Sequence, residues 1–124
     1  MKKIAVGMAL TGLVLACLPG SSAAQAVSAA TFCLYEHDDF KGGKWCTTPN
    51  YDRDLSNNYW AGTRRPVNDG ASSMVNNTNC PVVLWSGKSW TGDDYRAQRR
   101  SSDKDFTNNG FDNRISSLYF DCPD

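Results

Sequence analysis

Tyr35-Glu36-His37-Asp38-Asp39-Phe40-Lys41-Gly42 is the stretch that decides the fold, because its spacing returns in Trp85-Ser86-Gly87-Lys88-Ser89-Trp90-Thr91-Gly92. Each stretch holds an aromatic residue, four further residues, a second aromatic, one residue and a glycine. Glycine tolerates a positive φ that other residues avoid, so each stretch can fold back as a hairpin whose aromatics cover a sheet. Two copies of this hairpin in one chain indicate an internal repeat.

A second pattern also occurs twice in the same order, as Asn68-Asp69-x-x-Ser72-Ser73 and as Asp112-Asn113-x-x-Ser116-Ser117. Short runs of alternating apolar and polar residues surround both patterns, and Gly, Asn and Asp punctuate them, as is typical of strands. We therefore predict an all-β fold in which two Greek-key motifs form one disulfide-bonded sandwich. The predicted domain spans residues 27–124, with repeat one at 32–79 and repeat two at 80–122.

These motifs resemble the hairpin signature and the calcium loop of the βγ-crystallins. Within that superfamily, Cys33-Leu34-Tyr35-Glu36-His37 followed by Phe40-x-Gly42-Gly43-x-Trp45 is similar to the bacterial branch of the Streptomyces metalloproteinase inhibitor. The resemblance implies a βγ-crystallin-like sandwich and a small secreted inhibitor. Its implied partner is an extracellular protease, and we expect a monomer.

The N-terminus predicts export. Lys2 and Lys3 precede the uncharged apolar run Ile4–Ala16, and Ala24-Gln25-Ala26 fits the small-x-small pattern of signal cleavage. The run is too short to span a membrane, so residues 1–26 are predicted to be a signal peptide. An alternative is a lipoprotein box ending at Cys17, which would then carry a lipid anchor.

Charge and cysteine content limit the binding partners and the cofactors that the sequence can indicate. The chain has 13 Lys and Arg against 13 Asp and Glu, and loss of Lys2 and Lys3 makes the exported part slightly acidic, which favours neither nucleic acid nor an anionic membrane. Four cysteines would remain after cleavage, an even number that indicates two disulfides in an exported chain. Zinc is disfavoured because there is no CxxC pair and one histidine. The expected pairs are Cys33–Cys46, which flank the first hairpin, and Cys80–Cys122, which open and close repeat two.

Calcium is the cofactor that the resemblance implies. Calcium takes six to eight oxygen ligands at flexible spacing, and each Asn/Asp-Ser loop supplies a carboxylate, an amide, a hydroxyl and backbone carbonyls. The side-chain ligands implied by the resemblance are Asn68, Asp69, Ser72, Asp112, Asn113 and Ser116, with hairpin carbonyls at Glu36 and Ser86. The alternative is that the serines only cap turns and no ion binds.

Repeat one carries six more residues than repeat two between its hairpin glycine and its Asn-Asp pair. This excess falls in the segment 51–66, where Leu55 is expected to enter the core as Phe106 does in repeat two. Trp60, Arg64 and Arg65 are residue types that dominate binding hot spots, so we predict them to be the protease contact. The alternative is that Trp60 folds back onto the sandwich, and the basic stretch Arg96–Arg100 is a second candidate surface.

Catalysis is not expected. The one histidine, His37, lies on the first hairpin, and the cysteines would be oxidised, so neither a Ser-His-Asp nor a cysteine nucleophile is indicated. The alternative functions are a calcium-binding secreted structural or stress protein without a protease partner, and a toxin or antimicrobial on the same scaffold.

Overall fold

The computed structural model of the chain describes residues 30–123. Eight strands make up two four-stranded antiparallel sheets. The strands are β1 (Thr31–His37), β2 (Lys41–Thr47), β3 (Tyr51–Asp52), β4 (Ser73–Asn77), β5 (Val82–Gly87), β6 (Thr91–Ala97), β7 (Ser101–Asp103) and β8 (Ser117–Phe120). The short 3-10 turns are Asp38–Phe40, Leu55–Asn57 and Phe106–Asn109.

The two sheets exchange one strand each. The first sheet has the order β2-β1-β4-β7 and the second has the order β3-β8-β5-β6. Strand β3 from repeat one therefore lies in the sheet of repeat two, and β7 from repeat two lies in the sheet of repeat one. This exchange makes each sheet depend on both repeats. The two antiparallel sheets confirm the predicted all-β sandwich.

The core lies between the sheets and follows the alternation of the strands. Phe32 and Leu34 of β1 are fully buried, and so are Val82 and Leu84 of β5. Because successive strand residues point to opposite faces, these pairs put two apolar side chains from each sheet into the shared core. The segments between strands also contribute, and Leu55 and Phe106 are fully buried as expected.

Both hairpins fold back as predicted. Gly42 has a φ of +77° and Gly92 a φ of +85°, a region that favours glycine. A serine from the neighbouring strand of the sheet, β4 or β8, holds each folded hairpin in place. The hydroxyl of Ser73 donates to the His37 carbonyl and accepts the Phe40 amide, and the hydroxyl of Ser117 does the same with Gly87 and Trp90.

Two disulfides close the sandwich, with the expected pairing. Cys33 and Cys46 lie directly opposite each other on β1 and β2, with Cα atoms 4.1 Å apart. Cys80 and Cys122 join the ends of repeat two across 42 residues, with Cα atoms 4.4 Å apart. The predicted signal peptide, its cleavage site and Cys17 lie outside the described residues. Within residues 30–123, no helix has the length and apolar character needed to span a membrane.

Candidate functional site

The extra residues of repeat one form a small hairpin, which we call the insertion hairpin (Asn58–Val67). At its base the Val67 amide donates to the Asn58 carbonyl at 2.8 Å, and further out the Trp60 amide donates to the Arg65 carbonyl at 3.0 Å. The turn is closed by Thr63, whose amide and hydroxyl both donate to the Trp60 carbonyl at 2.9 Å. The loop is therefore internally hydrogen-bonded.

Trp60 anchors the insertion hairpin from inside the protein. Its side chain is only 1% exposed and belongs to the core cluster. The indole passes directly over Gly43, where an added Cβ would lie 2.7 Å from Trp60 Cγ. The neighbouring Ala61 amide donates to the Lys44 carbonyl of β2 at 2.9 Å. The prediction that Trp60 is an exposed contact residue is therefore wrong, because burying its large apolar surface in the core is more favourable than leaving it in water.

The two arginines of the insertion hairpin lie in different environments. Both are exposed, but the Arg65 guanidinium forms an ion pair with the Glu36 carboxylate of β1. The other oxygen of that carboxylate accepts the Gly43 amide at 3.1 Å. Arg64 has no ion-pair partner among the described residues, so it is the free cation at the turn.

Two arginines of the basic stretch Arg96–Arg100 form hydrogen bonds or ion pairs within the protein. Arg96 forms an ion pair with Asp121 at 2.7 Å, and the Arg100 guanidinium donates to the carbonyl and side chain of Asn77. These bonds hold the last residues and the β4–β5 connection in place. This stretch consequently offers a weaker case for a protein contact than Arg64 does.

The two Asn/Asp-Ser loops meet at one end of the sandwich, and we call them the paired loops (residues 68–73 and 112–117). Asp69 and Asn113 both adopt the left-handed conformation, with φ of 57° and 58°, which Asn and Asp tolerate better than most residues. Each loop thereby faces the serine of the other repeat. The side-chain bonds across the pair are Ser116 Oγ to Asp69 Oδ1 at 3.1 Å and Ser72 Oγ to Asn113 Oδ1 at 3.5 Å.

Glu36 and Ser86 occupy matching positions in the two hairpins beside the paired loops. The Glu36 carboxylate accepts the Gly43 amide, and the Ser86 hydroxyl accepts the Asp93 amide at 2.9 Å. Their side chains thus hold the folded hairpins. The preceding aromatics connect the hairpins to the paired loops, since Tyr35 O accepts the Ser72 amide at 2.9 Å and Trp85 O accepts the Ser116 amide at 2.8 Å.

Oxygen atoms without a partner mark both loops. Among the described residues, three buried side-chain nitrogen or oxygen atoms lack a hydrogen bond, and two of them are Asn68 Oδ1 and Asp112 Oδ1. The third is the indole nitrogen of Trp85. A buried acceptor without a partner is costly, so one such oxygen at the first position of each loop fits a cation ligand there.

The second loop lies near several aspartates. Desolvation, followed by the charges of Asp105, Asp112 and Asp39, raises the pKa of the Asp38 carboxyl. No group of three or more His, Cys, Asp or Glu side chains converges anywhere in residues 30–123. The paired loops could therefore hold a hard cation only through amide, hydroxyl and carbonyl oxygens together with few carboxylates, a ligand set that suits calcium better than zinc.

The roles of two residues that shape the insertion hairpin were not predicted from the sequence. Thr63 closes the turn, and Gly43, quoted above only as part of a motif, leaves room for Trp60. A signal for Gly43 does exist, because the matching position in repeat two is Asp93. Only the repeat that carries the insertion has two glycines in a row there, which indicates a close approach at that point.

Solved structures with the same fold are βγ-crystallin domains. A structure from work on the evolution of the eye-lens beta-gamma-crystallin domain fold matches with a TM-score of 0.66 and 23% identity, covering 77% of this chain and 89% of that chain. The beta gamma crystallin of Ciona intestinalis has a TM-score of 0.60 and 21% identity, covering 73% and 99%. A betagamma-crystallin from an archaeon has a TM-score of 0.58 and 21% identity, covering 75% and 99%.

The fold and its hairpins thus define an all-β protein of the βγ-crystallin type. Within that class the chain belongs to peptidase inhibitor family I36, whose sequence model matches residues 20–96. The matched range contains the insertion hairpin and the first of the paired loops. Membership in an inhibitor family favours a role other than catalysis. No curated protein matches the sequence significantly.

Proposed function

We propose that the protein is a secreted inhibitor of an extracellular metallopeptidase and that the turn of the insertion hairpin enters the active-site cleft. One observation carries the proposal: a member of an inhibitor family has an extra hairpin, pinned from inside by Trp60, with an exposed arginine at its turn. The metallopeptidase class follows from the resemblance to the Streptomyces inhibitor branch alone.

Rigidity is the property that an inhibitory loop needs. A loop that is already ordered loses less conformational entropy on docking, so more of its contact energy appears as affinity. The hydrogen bonds of Thr63 and the ion pair of Arg65 with Glu36 order both sides of the turn. Arg64 then serves as the contact, while Trp60 acts indirectly by positioning the hairpin.

The test is inhibition of a panel of secreted metallo- and serine peptidases by the purified protein. Arg64→Ala should raise the inhibition constant at least about tenfold, because truncating a hot-spot arginine costs about 2 kcal/mol or more and about 1.4 kcal/mol corresponds to a factor of ten. Arg99→Ala is the matched control, since Arg99 is also exposed but lies in the connection between β6 and β7, and it should inhibit like the parent. Unchanged inhibition by Arg64→Ala and by Arg64→Ala with Arg65→Ala would place the contact elsewhere.

Calcium binding at the paired loops is a second part of the proposal. Each of the paired loops would hold one ion, the first through Asn68 and Asp69 with the Ser116 hydroxyl, and the second through Asp112 and Asn113 with the Ser72 hydroxyl. The partnerless oxygens of Asn68 and Asp112, one in each loop, support this arrangement. A bound cation would neutralise charge there and tie the repeats together. If no peptidase is inhibited while calcium raises the Tm, the alternative function, a secreted calcium-binding structural protein, replaces the inhibitor.

Export and a monomeric state complete the proposal. The disulfides are consistent with an oxidising compartment. N-terminal sequencing of the protein recovered from the medium should begin at Val27. A start at a lipid-modified Cys17 would instead indicate an anchored protein, and size-exclusion chromatography with light scattering checks the monomer.

A further inference from the structure

A second candidate surface lies on the outer face of the second sheet. An open groove of about 460 Å³ is lined mainly by Pro49, Tyr51, Trp90, Tyr119 and Phe120. We call it the aromatic groove. None of these residues belongs to the insertion hairpin or to the paired loops. Tyr51 is 66% exposed, the most exposed large hydrophobic side chain of the described residues.

The rings of the aromatic groove are arranged as a floor with two walls. Tyr51 and Tyr119 are direct partners on β3 and β8. Each stands nearly perpendicular to Trp90, at 73° and 81°, with ring centres 5.7 and 5.8 Å away. The Trp90 indole N–H donates to the Leu118 carbonyl at 2.9 Å. This bond fixes the orientation of the indole, so a ligand can contact its ring carbons but not its N–H.

The scaffold does not require these aromatics. In the first sheet, the strand pair that corresponds to Tyr51 and Tyr119 is Ser102 opposite Val75. The counterpart of Trp90 is Phe40, which is held by the same serine bond. One sheet therefore carries small or aliphatic residues where the other carries two tyrosines, although both sheets fold alike. Tyr51 is exposed and Tyr119 is half-buried, and accessible aromatic side chains that the fold does not need mark an interaction surface.

Arg53 adds a positive charge beside the groove. Its guanidinium lies over the Trp90 ring, 4.6 Å from the ring centre. No carboxylate lies within ion-pair distance of it in residues 30–123, whereas four other basic side chains of this part are paired. The groove thus combines an apolar slot with a cation that rests on the Trp90 ring and has no carboxylate partner in residues 30–123. This combination complements a ligand that is apolar along its length and acidic at one point.

We propose that the aromatic groove binds an extended proline-rich peptide segment with an acidic residue that reaches Arg53. Upright aromatic walls around a flat ring suit polyproline II ligands, whose rings fill the slot and whose conformation is already ordered. The hydroxyls of Tyr51 and Tyr119 make no hydrogen bond within residues 30–123 and can donate to free peptide carbonyls. A neutral saccharide suits the groove less well, because it leaves the charge of Arg53 without a counterpart.

Isothermal titration with two synthetic peptides tests this inference without any peptidase. One peptide is a run of six prolines flanked on both sides by Glu, and the other has Gln in place of Glu. The Glu peptide should bind saturably and more tightly than the Gln peptide. Tyr51→Ala should weaken binding at least about tenfold, and Arg53→Gln should remove the preference for Glu. Phe40→Ala, the counterpart position in the other sheet, should bind like the parent.

Several outcomes would overturn the inference. The first is binding that does not saturate at about 1 mM peptide, because a weaker affinity than this is not specific. The second is equal binding by the parent and Tyr51→Ala. The third is equal binding of a peptide in which alanines replace the prolines. Binding of chito- or cello-oligosaccharides in place of the peptide would make the groove a saccharide site. If Tyr51→Ala loses the near-ultraviolet circular dichroism of the parent, Tyr51→Phe replaces it, since loss of the hydroxyl alone should still weaken binding measurably.

Discussion

Gly43 and Trp60 show how one small residue determines the position of a large one. The indole passes over Gly43, and this contact explains why repeat one has a glycine where repeat two has Asp93. The φ of Gly43 is not in the left-handed region, so its role is steric. A side chain here would push Trp60 outward and with it the insertion hairpin.

Gly43→Ala is therefore expected to lower the free energy of unfolding by about 1–3 kcal/mol, the usual cost of overpacking. An added Cβ would lie 2.7 and 2.8 Å from two atoms of Trp60, too close without a shift. Gly70→Ala is the matched control, because its Cβ would meet the same indole at an ordinary 3.5 Å. Urea denaturation measures both, and equal stability of the two variants would contradict the steric role of Gly43.

Two 3-10 turns tie the repeats to each other. The Leu55 amide donates to the Ser116 carbonyl and the Phe106 amide to the Ser72 carbonyl, both at 2.9 Å. Asp54 and Asp105 begin these turns, and each accepts the amide two residues further on. Hydrogen bonds from the side chains of Ser56 and Thr107, followed by those from their backbone amides, lower the pKa of the Asp54 and Asp105 carboxyls.

The lowered pKa of Asp54 predicts a pH-dependent contribution to stability. Its folded pKa is below the unfolded value of 3.8, so its contribution is fully present above pH 3.8 and is lost as the pH falls through the folded pKa. Asp54→Ala should lower the Tm at neutral pH, and the difference from the parent should shrink at more acidic pH. Asp94→Ala, an exposed change in β6, is the control. A Tm difference for Asp54→Ala that is constant with pH would contradict this cause.

The two disulfides constrain the whole chain to different degrees. Cys33–Cys46 closes 13 residues and Cys80–Cys122 closes 42 residues. In the chain-entropy description, closure of the longer loop removes more freedom from the unfolded chain. Replacing Cys80 and Cys122 with serine should cost about 4 kcal/mol, and replacing Cys33 and Cys46 about 3 kcal/mol. Guanidinium denaturation measures both double variants, and a smaller loss for the Cys80–Cys122 variant would contradict this ordering.

Calcium, if bound as proposed, acts on the whole molecule because each half of the paired loops meets the serine of the other repeat. Calcium titration should show two sites in the parent and one in Ser72→Ala or in Ser116→Ala. A ligand at one hundred times its Kd stabilises the native state by about 2.7 kcal/mol, so the Tm should rise with calcium. Ser56→Ala, which removes a hydroxyl outside the loops, is the control. No heat and no Tm change at about 10 mM calcium, well above the range of weak extracellular sites, would exclude binding.

Local sequence patterns were enough to predict much of the fold. The repeated hairpin, the positive φ of Gly42 and Gly92 and the burial of Leu55 and Phe106 all follow from spacing and turn chemistry, which act over a few residues. The cysteine pairing followed as well, since the hairpin places Cys33 opposite Cys46. The exchange of β3 and β7 between sheets was not anticipated, because pairing between distant strands depends on the packed core rather than on nearby residues.

What the sequence by itself determined is the class of protein: an all-β, twice-repeated, disulfide-bonded chain of an inhibitor family, with an insertion in repeat one. Only the tertiary structure decided which residues of that insertion are accessible to a binding partner. In the linear sequence Trp60 and Arg64 are equally plausible contacts. In the structure Trp60 is buried and Arg64 is exposed at the turn, and this difference depends on Gly43 and Lys44 of β2, against which the insertion hairpin packs. The aromatic groove likewise exists only because β3 crosses to the second sheet and brings Tyr51 beside Trp90 and Tyr119. Side-chain exposure results from long-range packing, so it cannot be read from local periodicity.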